Sequence, residues 1–314
     1  MTLIDVLPDD ILLVIFGFFQ FGGKPFYYGV EAWHSLVHVC RRWRSLVFQS
    51  PRGLNLLLHC TPETPVMDNL DYVWPAALRL VIEVDVVFME YSSITDNIIA
   101  ALGKTDRVYI VQFCLTPLGF EEVSTAMQVQ FPELTELLLS SPESSSISGK
   151  PVLPDTYLGG SAPCLRVVHL TRVSFPGLPK LLLSATHLVE LDLCDVECSE
   201  YVSPEAVVAS LSVLSSLKSF RLIFVWYDYP RHSSSLLPSK RTTTSTLPAL
   251  VKFDFRGDSQ YIEELLCLIE TPQLAEIDIL LFGLDDENQG DVAYERISQI
   301  LDCIPTLKRC AIAG

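Results

Sequence analysis

His34-x-x-x-His38 sets two imidazoles one helical turn apart, with Cys40 close behind. Zinc takes about four ligands, and the glutamate of a His-Glu-x-x-His site is missing because Ser35 holds its place. Cys194-x-x-x-Cys198 has no second pair to complete a site, so it reads as packing. Ser215-x-x-Lys218 fits the bare pattern of acylating hydrolases, but no Ser-Asp-Asn or Lys-Thr-Gly accompanies it. Gly22-Gly23-Lys24 and Gly159-Gly160-Ser161 are too short to wrap a phosphate. Asp285-Asp286-Glu287 reads as a solvated turn, and Cys310 stands one place too early for a prenylation box. Nowhere do a nucleophile, a base and an orienting group assemble. The expectation is a protein without catalysis, metal or cofactor.

The elements around these residues say more. The chain has 314 residues, 49% of them hydrophobic and 19% charged, which is ample for a core. No apolar run reaches the roughly 18 to 20 residues of a bilayer span, and the start lacks the basic residues of a secretory signal. Nine cysteines without a regular framework suit a reducing interior, so an intracellular protein, cytoplasmic or nuclear, is expected. The net charge of −16 divides unevenly, as +1 over residues 1–60 and −17 beyond. An acidic body repels phosphate backbones, so neither nucleic acid nor membrane is an expected partner.

Residues 1–60 read as a small module of three helices. Leu7-Pro8-Asp9-Asp10 opens the first, with proline at the first helical position and acids at the positive end of the dipole. Leu7, Ile11, Leu12, Ile15, Phe16 and Phe19 gather into one apolar stripe. Trp33, Leu36, Val37 and Cys40 mark the second helix; Trp43, Leu46 and Val47 mark the third, whose other side carries Arg41, Arg42 and Arg44. So short a module buries little by itself, so a partner or the following domain must cover its spare apolar face.

From residue 61 to 314 the pattern Leu-x-x-Leu-x-Leu returns, beginning at Leu134, Leu165, Leu188, Leu217, Leu250, Leu274 and Leu307. The starts step by 31, 23, 29, 33, 24 and 33 residues, too uneven for a regular array. Ala77–Val84 and Arg107–Phe113 read as degenerate strands of the same series. Helical patterns open near Asp96, Ser203-Pro204-Glu205 and Ser259, and another holds Val292, Ile297, Ile300 and Leu301. The predicted fold class is α/β: a helical module followed by an irregular solenoid with a parallel sheet, interrupted by loops at 140–156 and 228–248. Side chains flanking the second leucine of each motif face outward. Glu136, His169, Glu190, Asp192, Arg221, Lys252, Asp254, Glu276 and Asp278 are therefore the candidate substrate-binding row.

Leu7-Pro8-Asp9-Asp10-Ile11-Leu12, Ile15-Phe16 and Val39-Cys40-Arg41-Arg42-Trp43-Arg44-x-Leu46 together resemble an F-box. The continuation through Trp74-Pro75, Leu158-Gly159-Gly160-Ser161-Ala162-Pro163 and Leu178-Pro179-Lys180 to Thr186 is similar to the F-box group expanded in mushroom-forming fungi. The resemblance implies a substrate receptor of an SCF-type ubiquitin ligase, docking on the adaptor and through it on a cullin, with a leucine-rich-repeat-like domain binding a protein substrate. Carried over by motif, the adaptor-binding positions are Leu7, Pro8, Asp10, Ile11, Ile15, Leu36, Val39, Cys40 and Trp43. A non-catalytic scaffold that recruits no ligase is the alternative. Three departures stand out: Asp10 replaces the usual glutamate, residues 19–31 make a long aromatic loop, and the ladder asparagine of a regular repeat is missing. Pro142, Val173, Val196, Val225, Asp258 and Phe282 occupy its place.

Overall fold

The computed structural model describes residues 3–18, 32–54, 56–62, 78–85, 96–142, 150–196, 202–225 and 244–281. Helix α1 spans Asp9–Phe18, α2 Ala32–Val37 and α3 Arg41–Gln49. The Leu12 amide donates to the Pro8 carbonyl at 3.1 Å, which puts proline just ahead of the helix instead of at its first position. Arg42 reaches back from α3, donating to Asp9 Oδ1 from Nε at 3.0 Å and from Nη2 at 2.6 Å, and to the Leu7 carbonyl. Leu12, Phe16, Leu36, Val37, Leu46 and Val47 bury together with Leu54, Leu56 and Leu78. The module's core thus continues into the chain beyond it.

The nine-stranded sheet is parallel throughout and nearly sequential. Its strands are β1 (Leu57–Cys60), β2 (Arg79–Asp85), β3 (Val108–Cys114), β4 (Glu136–Ser140), β5 (Val167–Thr171), β6 (Glu190–Val196), β7 (Ser219–Phe224), β9 (Lys252–Gly257) and β11 (Glu276–Leu281). A separate parallel pair joins β8 (Ser245–Thr246) to β10 (Ile269–Glu270). Alternation settles each face: Leu137 and Leu139, Val168 and Leu170, Phe220 and Leu222, Phe253 and Phe255 point inward. The first leucine of each described motif, Leu134 through Leu274, is buried as well. Helices α4 (Asp96–Leu102), α5 (Pro117–Ser124), α6 (Leu178–Leu182), α7 (Pro204–Leu211) and α8 (Ser259–Leu268) close over the inner face. Ile98, Phe120, Leu181, Val207, Leu211, Ile262 and Leu265 share one continuous core with the strands. This is a solenoid-like α/β architecture, each layer filled by its neighbours.

Side-chain caps set the helix starts. Ser203 Oγ accepts from the Ala206 amide at 3.3 Å. Asp258 Oδ1 accepts from the Gln260 and Tyr261 amides at 2.7 and 3.3 Å. Asp258 therefore caps α8 where a ladder asparagine would otherwise stand. Elsewhere the backbone replaces that ladder. The Leu115, Ser141 and Arg172 amides donate to the Ser140, Thr171 and Cys194 carbonyls of the next strand at 2.9, 3.0 and 3.0 Å. Val173 and Val196 turn inward and are buried. Arg172 and Asp195 take the left-handed backbone, with φ of 57° and 54°, and bond to each other from Nε to Oδ2 at 3.1 Å.

Three expectations need correction. Strand β1 pairs with β2 from Leu57 onward, so the sheet begins inside the segment assigned to the helical module. The expected loop at 140–156 contains the end of β4, a parallel bridge from Val152 to Ser174, and the buried Leu153. The loop at 228–248 ends in β8, followed by the buried Leu247. In each case one buried leucine draws a Ser- and Pro-rich segment onto the core. The 19–31 loop, the last repeat from Leu307, the helical pattern from Val292, Phe282, Asp285-Asp286-Glu287, Cys198 and Cys310 lie outside the described residues. No described helix is long and apolar enough to cross a membrane.

Candidate functional sites: an apolar helical face and a charged sheet face

Helix α1 is apolar on more than one side. Leu12 and Phe16 face the core, while Val14 and Phe18 are 60% and 73% exposed, and Ile11 is open as well. Ile11, Val14 and Phe18 follow at i, i+3 and i+7, a second stripe on the same helix. Ile4, Val6 and Val39 add further exposed apolar side chains from the turns beside it. Exposing this many large apolar groups in so small a module is uphill in water.

The expected adaptor-binding residues divide by burial. Pro8, Asp10, Ile11, Val39 and Cys40 are exposed. Leu7, Ile15 and Trp43 are half-buried, and Trp43 packs its ring on Phe16 with centroids 4.8 Å apart. Leu36 is 3% exposed within the module core, so it shapes the module and cannot meet a partner. Val6, Val14 and Phe18 escaped the sequence reading, which sought a single stripe. The near-unbroken apolar run from Ile11 to Phe16 was the signal for a helix covered on two sides.

On the sheet, register aligns the outward side chains into rows. One row runs Glu136, Val167, Glu190, Ser219, Lys252, Glu276; the next runs Leu138, His169, Asp192, Arg221, Asp254, Asp278. His169 Nε2 lies 3.0 Å from Glu190 Oε1. Arg221 spans three strands, from Nη1 to Asp192 Oδ2 at 2.8 Å and from Nε to Asp254 Oδ2 at 2.9 Å. Lys252 Nζ sits 3.4 Å from Glu276 Oε2. The structure therefore brings the predicted row together across six strands.

Exposure along the row is uneven. Asp192 and Asp254 lie on the outward face yet are buried, so they serve as internal counter-charges and not as open contacts. A neighbour's guanidinium covers them, which strand alternation cannot reveal. Asp254 Oδ1 and Arg256 Nε are both buried without hydrogen bonds and face each other at 3.8 Å. Burial opposes the charge on Arg221, but the two aspartates more than offset it and raise its pKa. Glu136 has neither hydrogen bond nor ion pair among the described residues. Burial pushes its carboxyl above the ordinary range, with His169 and Arg166 opposing the rise and Glu190 adding to it. Cys194 donates to Asp192 Oδ1 at 2.9 Å; burial and that bond push its thiol up to about 12, far from a reactive thiolate.

Two cavities among the described residues bear on ligand binding. One is an apolar void of about 20 Å³ among Leu170, Phe175, Leu191, Val207 and Phe220, too small for a ligand. The other is an outer groove of about 210 Å³ between Glu205, Ser212, Thr244 and Leu268, without a convergent set of polar groups. No cluster of metal-binding side chains occurs among the described residues, and His38 is exposed. No protein-family model matches the chain, and no curated protein matches it.

Proposed function

We propose that the protein is a non-catalytic substrate receptor of an SCF-type ubiquitin ligase. The helical module is read as an F-box that docks on the adaptor, and through it on a cullin. The solenoid is read as an irregular leucine-rich-repeat domain whose outward sheet face holds a protein substrate. One observation carries the reading: the exposed apolar stripe of Ile11, Val14 and Phe18 on α1, together with the exposed Val39 in the segment that resembles the motif. A partner that covers this stripe removes its apolar surface from water at about 25 cal/mol per Å².

A scaffold whose helices only cap the sheet is the second reading, favoured by Leu78 lying inside the module core. One experiment separates the two. Val14→Ser with Phe18→Ser alters exposed positions only, so the fold should persist. Co-purification of the wild-type chain with adaptor and cullin, lost in the double variant, supports the receptor. A wild-type chain that captures no adaptor, or a folded variant that captures it equally, overturns it.

A further inference from the structure

We infer that the outward face of β4–β6 is a docking lane for a cationic protein segment, an extended stretch rich in lysine and arginine. One basic side chain seats over Val167, between Glu136 and Glu190. The biological role of this lane, substrate capture, rests on the receptor reading above.

Charge complementarity is the first argument. The chain beyond residue 60 carries −17. Most carboxylates on this face already have a partner of their own. Glu190 has the His169 imidazole, a cation only when protonated, Asp192 and Asp254 share Arg221, and Glu276 has Lys252. Among the described residues of rows one and two, Glu136 and Asp278 have none. Asp278 is exposed and costs little. Glu136 is half-buried without a hydrogen bond or ion pair, and His169 and Arg166, beyond ion-pair distance, offset only part of its lost hydration. An incoming cation recovers that loss.

Geometry is the second. Glu136, Val167 and Glu190 are in register on three adjacent strands. Strand spacing puts the two glutamate backbones about 10 Å apart, so one cationic group above Val167 lies between Glu136, which has no ion pair to give up, and Glu190, which would share its contact with His169. Val167 and Leu138 are half-buried and apolar, a floor for the aliphatic stem of lysine or arginine. The cationic end of the face offers no such seat to an anion, because Arg221 is already forked between two aspartates.

The test uses the full chain and a fluorescein-labelled dodecapeptide of alternating arginine and serine, with a glutamate–serine peptide as control. Fluorescence anisotropy should show saturable binding of the basic peptide and none of the acidic one. Glu136→Gln should weaken binding about fivefold, and Glu136→Gln with Glu190→Gln more than tenfold. Glu121→Gln with Glu205→Gln, equal in charge lost but on the helices over the other face of the sheet, should stay within twofold. Equal weakening by both pairs, equal binding of the acidic peptide, or no binding at all overturns the inference. Glu136→Gln removes a half-buried charge, so misfolding does not confound it. Peptide binding that fails while the adaptor still binds sinks this lane alone; adaptor binding that fails while the peptide still binds sinks the receptor reading alone.

Discussion

Replacing Arg221 with alanine tests the charged face at its centre. The guanidinium makes two bonds, 2.8 Å to Asp192 and 2.9 Å to Asp254, whose side chains are only 12% and 8% exposed. A hydrogen bond to a charged group contributes about 1.5–3 kcal/mol, so two set a ceiling near 6 kcal/mol. Arg221 itself is 40% exposed, and water screens part of that. Asp254 also keeps Arg256 Nε at 3.8 Å. The expected loss near pH 7 is therefore about 2–4 kcal/mol. Urea denaturation gives the difference as the shift in midpoint times the slope. Hydrogen exchange should place the loss in β6, β7 and β9. Adding Asp192→Asn should return part of the stability, and Arg221→Lys should fall between, since an ammonium cannot fork across two strands. A loss under about 0.5 kcal/mol would mean that water already serves both aspartates and that the chain of charges holds nothing.

Further outcomes follow from single positions. Glu136 titrates above its ordinary range in the folded state, chiefly through burial, so its protonated form is the one folding favours. That stability is present below the unfolded value of about 4.5 and is lost as pH rises through the folded one. Glu136→Gln should therefore melt higher than wild type near pH 7, with the gain vanishing toward pH 4.5; a variant that melts lower at neutral pH contradicts the uncompensated burial. Two glycines should respond with opposite sign in thermal melts. A Cβ at Gly177 would lie 2.8 Å from Asp155 Cα and 3.0 Å from its carbonyl oxygen, and backbone yields little, so Gly177→Ala should cost about 1–3 kcal/mol. Gly17 in α1 has nothing within 4 Å of such a Cβ, so Gly17→Ala should gain up to about 1 kcal/mol of helix propensity.

The parallel sheet was legible because Leu-x-x-Leu-x-Leu carries its own proof of alternation. Leu137 and Leu139 are buried and Glu136 is not, and the same holds from β5 to β9. What periodicity cannot express was missed. A two-residue strand such as Ser245–Thr246 has no period to detect, and it exists because β10 lies alongside. Asp192 and Asp254 sit on the face that alternation assigns them, but their burial depends on where a third strand sends Arg221. Leu36 was grouped with Cys40 by helical spacing, yet α2 ends at Val37, which leaves Leu36 buried and Cys40 outside the helix. Spacing predicts faces, while tertiary neighbours decide which faces close.

The two surfaces differ for a reason rooted in how each unit is filled. In the solenoid, every strand finds its apolar partners in the next repeat, so the inner face is complete and the outer face is free to carry charge at modest cost. Among the described residues the helical module has no such neighbour on its far side: Leu12, Phe16 and Val47 use up the contact with Leu54, Leu56 and Leu78, and Val14 and Phe18 are left over. The charges divide the same way, with the acidic excess on the repeats and near balance on the helices. Under the proposed function, an apolar partner on α1 would compete for nothing that a cationic partner on β4–β6 would need. Mutations at Val14 and at Glu136 should accordingly act independently, their free-energy effects adding within about 0.5 kcal/mol, because no side chain or cavity is shared between them.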